Sequence, residues 1–152
     1  MKKNIKKIIF IVFLVFLGMQ LYQPARNTEF ERDSAVNFTK VYIVPKNVET
    51  IIRTSCNDCH SNTTNDPWYS NVQPIRFFMD SHIKEGKENL NFSEFGKYSK
   101  RKQENKLNRI VKEIKSDEMP LASYTLIHQN AILTLSQKKE VIDWVNTVKK
   151  ND

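Results

Sequence analysis

An all-α fold is predicted for this chain by three features. Apolar residues recur at helical spacing in several segments, no stretch alternates apolar with polar residues as a half-buried strand would, and a lysine-led apolar run opens the sequence. The 152 residues, 39% apolar and 27% charged, suit one small domain with an appendage. The expected division is residues 1–22 as a signal or membrane-anchor helix, 23–46 as a tether and 47–150 as the folded domain.

Lys2, Lys3, Lys6 and Lys7 precede an unbroken apolar run from Ile8 to Leu17, which fades through Gly18, Met19 and Gln20. A charged start followed by an apolar stretch is the pattern of an export signal. The fifteen residues from Ile8 to Tyr22 fall between a cleavable signal core and the roughly 20 needed to span a bilayer. No small residues at cleavage spacing follow, so a retained anchor with the domain outside is favoured over secretion to the periplasm after cleavage. Those four lysines also dominate the net charge of +7; without them 20 basic residues face 17 acidic ones. A dispersed +3 is no electrostatic footprint for nucleic acid.

From Gln23 to Lys46 the chain is polar and aperiodic, with Val41–Pro45 as a short extended apolar patch. A helix capped by Asn47 is expected next, with Val48, Ile51 and Ile52 on its inner face. Pro74 opens a second, with Ile75, Phe78, Met79, His82 and Ile83 on one stripe and Gly86 near its end. Asn91–Gly96 reads as a connector with two anchoring phenylalanines, Phe92 and Phe95. A third helix follows from Ser99 to Ser116 with Leu107, Ile110, Val111 and Ile114 inside. The last begins at Ser136 as N-cap and buries Val141, Ile142, Trp144, Val145 and Val148. Asn62-x-Thr64 fits a glycosylation sequon, a chance match in an asparagine-rich chain.

Between the first two of these helices lies Ser55-Cys56-Asn57-Asp58-Cys59-His60, which holds both cysteines. C-x-x-C-H is the attachment signal for a c-type haem. Residues three and four apart share one face of a helical turn, so two thiols and an imidazole address one flat ring, with His60 as proximal iron ligand. The competing readings are weaker. Structural zinc needs four ligands, and no second pair or H-x3-5-H follows. A thioredoxin-like couple belongs near a βαβ pattern that is missing here, and a plain disulfide leaves the adjoining histidine unexplained. Export agrees with the motif, since covalent haem attachment is expected outside the cytoplasm.

Three residues are candidates for the opposite iron position. Met119 precedes Pro120 and so lies in an extended turn, and His/Met ligation is that of electron-carrying cytochromes c. His82 sits on an apolar helix face, where a satisfied core histidine is the commoner role. His128 lies in a loop at the surface or behind the ligands.

Cys56-Asn57-Asp58-Cys59-His60-Ser61-Asn62 followed by Pro67-Trp68-Tyr69-Ser70-Asn71-Val72-Gln73-Pro74 resembles the small bacterial haem-binding domain family of c-type cytochromes. Further matches are His82-Ile83-Lys84-Glu85-Gly86-Lys87, Leu90-Asn91-Phe92-Ser93-Glu94-Phe95 and Glu118-Met119-Pro120-Leu121-Ala122-Ser123-Tyr124. The similarity covers about residues 40 to 148. It implies one covalently bound haem c, a small cytochrome-c-like helical domain around it, and Met119 as distal axial ligand beside proximal His60.

The resulting expectation is a monohaem one-electron carrier at the outer face of the cytoplasmic membrane, exchanging electrons with redox partner proteins, a role that ranks above an enzymatic one without excluding it. Haem is expected to pack among Trp68, Phe77, Phe78 and the terminal helix. The alternative is a haem-based gas or redox sensor, or a small peroxidase, with an open or labile distal site. Lys84, Lys87, Lys97, Lys100 and Lys102 offer a docking surface for an acidic partner, although a solvated helix face explains them more simply.

Overall fold

The computed structural model describes residues 2–28 and 35–151, with the side chains of Lys2, Lys3 and Asn151 left aside. It is all-helical, and the one β-bridge among the described residues pairs Thr28 with Thr63. The main helices are α1 (Lys2–Gln20), α2 (Phe38–Val41), α3 (Lys46–Ser55), α4 (Asn57–His60), α5 (Ile75–Asn89), α6 (Lys100–Lys115), α7 (Ala122–Thr125) and α8 (Leu135–Asn151). Short 3-10 turns at Trp68–Asn71, Phe92–Lys97 and Gln129–Ala131 join them.

The core forms where α3, α6 and α8 pack together, and its centre is Phe38, only 1% exposed. Its ring meets Tyr42, Phe92, Phe95 and Trp144 edge-on, at centroid distances of 4.9 to 5.8 Å. Such edge-to-face pairs add to the stabilisation from area burial. Phe38 and Tyr42 lie within the stretch read as a tether, so the core reaches further towards the N-terminus than periodicity indicated. A single short turn is too brief to show a helical period. Asn37 caps that turn, and the close approach of Val36 to Gly96 docks it: the Gly96 N–H donates to the Val36 carbonyl at 2.7 Å, where a Cβ would come within 2.9 Å of the Val36 Cα.

The segment after α1 is strapped to the domain. Gln20 bonds the backbone of Gln73 in both directions, Gln73 Nε2 donates to the Tyr22 carbonyl at 2.6 Å, and Gln23 donates to the Asn71 carbonyl. Arg76, 3% exposed, pairs with Asp66 at 3.3 Å and donates to the carbonyls of Pro24 and Ala25. Asn27 completes the strap through Ser61 and Thr64. Burying a cation is costly unless partners replace its water; Asp66 and the two strap carbonyls do so for the terminal nitrogens, while Arg76 Nε has no partner among the described residues.

Helix α1 itself has no such cover. Its residues Ile8 to Leu17 are all between 41% and 62% exposed. That run of ten residues is about 15 Å long at 1.5 Å per residue, half the roughly 30 Å of a bilayer's hydrocarbon core. Among the described residues no helix is long and apolar enough to cross a membrane.

Several local readings are corrected. Asn47 does not cap α3; Pro45 precedes the helix, and Asn47 Nδ2 reaches Glu140 on α8 at 2.6 Å. Thr134 rather than Ser136 begins α8, through a reciprocal box in which Gln137 N–H donates to Thr134 Oγ1 and Thr134 N–H to Gln137 Oε1. The T-x-x-Q spacing carries that signal in the sequence. Helix α5 continues past Gly86 to Asn89.

Replacing Phe38 with Ala removes the ring on which four aromatic neighbours converge. The expected loss is about 3–5 kcal/mol of unfolding free energy, read as a lower urea midpoint, whereas a tether residue would leave it unchanged.

Candidate functional site

Helix α3 delivers the chain into Cys56, whose N–H ends the helix by donating to the Ile52 carbonyl. One further helical turn, α4, then carries Cys59 and His60, with their N–H groups both donating to the Cys56 carbonyl. Both thiols are free. Burial pushes the Cys56 thiol up to about 12, with neighbouring Cys59 adding to it. Burial likewise pushes Cys59 up to about 11, reinforced by the Asp58 carboxylate. Redox-active C-x-x-C pairs run the other way, with a thiol depressed towards or below neutrality.

His60 is held from behind. Its Nδ1 lies 2.9 Å from the Gly86 carbonyl and 3.1 Å from that of Leu90. Carbonyls only accept, so Nδ1 carries the hydrogen and Nε2 keeps its lone pair. Burial lowers the His60 pKa, against the raising effect of those two bonds and with help from Lys106. The imidazole is therefore neutral at pH 7.

That arrangement depends on Gly86. Helix α5 crosses α4 so closely that a Cβ at Gly86 would sit 2.5 Å from the Cys59 carbonyl oxygen. The sequence reading of Gly86 as a helix end missed this role; the signal available was its place in the His82–Lys87 motif. The Leu90–Phe95 motif is likewise more than a connector. Leu90 supplies the second carbonyl, and the Phe92 ring packs edge-on against the imidazole at 6.4 Å. Asn91 donates to Asn62 Oδ1 at 2.7 Å, while Ser93 accepts from the Asn62 backbone. Asn62 is 2% exposed within this network, a structural residue and not an accessible sugar acceptor.

Cys56, Cys59 and His60 line one cleft of about 400 Å³, whose apolar walls include Ile51, Ile110, Leu133 and Val141. Met119 lines it too, half-buried. The turn that brings Met119 there closes helix α6: Asp117 takes a left-handed φ of 60°, and the Glu118 and Met119 N–H groups both donate to the Glu113 carbonyl. This is a Schellman-type ending with Asp where Gly is commonest. Asp58 ties the cysteine turn to the same segment, accepting from Tyr124 Oη at 2.7 Å. Burial, then this bond, raises the Tyr124 pKa.

The other candidates separate. His82 lines the rim of the cleft, but it is exposed and hydrogen-bonded to nothing among the described residues, so it is no satisfied core histidine. His128 is outside the cleft. Its Nδ1 donates to the Tyr124 carbonyl at 3.1 Å, its Nε2 accepts from Tyr69 Oη at 2.8 Å, and it stacks on the Tyr124 ring at 4.1 Å. It borders a second cavity of about 210 Å³ shared with Ile75, Phe78 and Tyr69. Of Trp68, Phe77 and Phe78, expected around the cofactor, none lines the 400 Å³ cleft; Phe78 lines the second cavity, which shares Asp58, Cys59, His82, Leu121 and Tyr124 with it, and Trp68 and Phe77 line neither. Nor do the five lysines make one open patch: Lys87 donates to Asn27, Lys97 pairs with Glu94, and Lys102 lies over the Tyr98 ring.

Two thiols, a neutral imidazole and a thioether around one apolar cleft fit an iron porphyrin. They do not fit zinc, for among the described residues no group of three or more His, Cys, Asp or Glu side chains is placed to hold a metal ion. The family model for a haem-binding domain matches residues 14–147. The chain belongs to that haem-binding domain family. No curated protein and no solved structure gives a significant match. In this haem-binding domain the cysteine turn and the His82–Lys87, Leu90–Phe95 and Glu118–Tyr124 motifs each contribute a wall or a support of one cleft, while Pro67 and Tyr69 of the remaining motif line the second cavity.

Two outcomes follow. Ala for Gly in a mid-helix position ordinarily stabilises by about 1 kcal/mol, but Gly86→Ala is expected to lower stability by about 1–3 kcal/mol through backbone overpacking; denaturant unfolding decides the sign. In the haem-free chain, the depressed His60 pKa means that the unfolded state binds more protons. Stability is thus full above the ordinary imidazole value of 6.5 and declines as pH falls below it towards the folded value. Urea midpoints across that window should show a slope that His60→Asn reduces.

Proposed function

We propose that this chain is a monohaem c-type electron carrier associated with the outer face of a membrane. The observation that carries the reading is His60, with one nitrogen fixed by two carbonyls and the other free, on a turn that also presents both thiols to an apolar cleft containing Met119. Cys56 and Cys59 would hold haem through thioether bonds, each thiol adding across one vinyl group. The high thiol pKa values favour protonated sulfurs that stay out of disulfide exchange until attachment. His60 would be the proximal ligand and Met119 the distal one, a pair that raises the iron potential.

Bound haem would supply a one-electron iron couple. The protein's own contribution is to keep His60 neutral and oriented through Gly86 and Leu90, to hold Met119 in place through the Asp117 turn and the Asp58–Tyr124 bond, and to exclude water with the aliphatic walls. Full ligation by protein leaves no position for peroxide or a gas, which favours a carrier over a sensor or peroxidase. Membrane association is supported by α1, whose apolar surface has no protein cover, and by the lysines that lead it.

Protein from cells competent in cytochrome maturation is expected to give a haemochrome spectrum with pyridine and an intact mass one haem above the polypeptide. Met119→Ala should abolish the red-end sulfur-to-iron band of the oxidised form, lower the reduction potential and open the iron to carbon monoxide or cyanide. A colourless product of polypeptide mass sinks the haem attachment; an unchanged spectrum in Met119→Ala sinks the distal ligand.

A further inference from the structure

We propose that the face of the domain around Trp68, Ile75 and Phe77 rests on a lipid bilayer, so that α1 passes from it directly into lipid and the domain is held in one orientation. The inference rests on the membrane association proposed above, and adds which surface meets the lipid.

The face is contiguous. Trp68 packs edge-on against Tyr69 at 5.8 Å, and Tyr69 lines the second cavity with Ile75, Phe78 and Ile127. Phe77 lies 6.2 Å from Phe78. Trp68 is 80% exposed and Phe77 56%, and neither lines the cofactor cleft or the second cavity beside it; Ile127, 61% exposed, stands at the edge of that second cavity. Aromatic side chains of this kind concentrate at the headgroup level of membranes, where one edge is apolar and the other wet.

The occupant is identified by what leaves the same face. Gln20 and Tyr22, at the end of α1, are bonded to Gln73, the residue between the Trp68 turn and α5. Gln23 and Arg26 are bonded to Asn71 in that same turn. No free linker therefore separates α1 from the aromatic face. Helix α1 is apolar on every side from Ile8 to Leu17. A second copy of the chain would need only one apolar stripe for a helical seam, whereas lipid wets all sides of a helix. Lys6 and Lys7 stand ready for anionic headgroups through their long stems.

The test uses the full haem-loaded chain mixed with vesicles of phosphatidylcholine and phosphatidylglycerol. Benzoylphenylalanine replaces Trp68, Phe77 or, as a control, Ile43, which is 96% exposed and lies on the side of the domain bonded to Trp144 of α8. All three positions are exposed, so folding is preserved. Every version should float with the vesicles, and irradiation should attach phospholipid at positions 68 and 77 severalfold more than at 43. Floating protein labelled equally at 43 and 77 overturns the face while leaving the membrane association standing. Failure to float overturns both. Chain-to-chain adducts at 68 or 77 in place of lipid adducts overturn the proposal in favour of self-association.

Discussion

An imidazole can offer a lone pair to iron only while its other nitrogen carries the proton, and something must decide which nitrogen that is. In this protein the decision is made at the C-terminal end of α5, where the carbonyls of Gly86 and Leu90 both point at Nδ1 of His60. The last carbonyls of a helix have no partner of their own within the helix, and the partial negative charge there favours a donor. Gly86 also accepts from the Leu90 N–H at 2.8 Å, so the bond that ends the helix and the bond that orients the imidazole share an acceptor. Burial opposes protonation more strongly than these bonds assist it. The outcome is a neutral ring with a fixed tautomer, the form a metal requires.

Holding that geometry demands backbone contact between two helices, and the rest of the domain is arranged around it. The contact excludes any side chain at position 86. The loop after α5 is then fixed from two directions, by Tyr98 Oη accepting from the Asn91 N–H at 3.0 Å and by the buried Asn62–Asn91–Ser93 network. Buried networks of this kind are stable only when each polar atom is satisfied, and Asn62 belongs to the same stretch as His60. The same economy appears on the other side of the turn. Asp58 joins Cys59 to the Tyr124 end of the Met119 segment, so movement of either wall of the cleft strains a hydrogen bond to the cysteine turn.

The cysteine turn was readable from sequence because the C-x-x-C-H spacing puts two thiols and an imidazole on one face of a single helical turn. So was α6, whose Leu107 and Ile114 are buried at helical spacing beneath a charged surface. What periodicity could not reveal was anything that acts through backbone. Gly86 looks like a helix stop, and Leu90 like an ordinary apolar residue, because their role is to place carbonyl oxygens that every residue possesses. Nor does helical spacing of aromatics by itself bury them against protein. Ile75, Phe78 and Met79 do share a stripe with His82 and Ile83, but the stripe borders a cavity and solvent, with Ile83 alone of the five buried. Phe38 was hidden for the opposite reason: a core residue on a four-residue turn has no periodic neighbours to announce it.

Helix α5 links the two halves of the functional reading. Near its start, Arg76 grips the strap that follows α1, and Ile75 and Phe77 stand on the aromatic face. Near its end, Gly86 orients His60. Ten residues of helix separate Arg76 from Gly86, about 15 Å along one rod. A helix of that length bends little without proline or a bulge, and Ile75–Asn89 contains no proline. If lipid meets the first end, the depth of the imidazole relative to the membrane surface is set by a helix rather than by a flexible linker. For a one-electron carrier of the kind proposed, with partners at fixed heights over the same surface, that rigidity would turn the search for a partner from three dimensions into two.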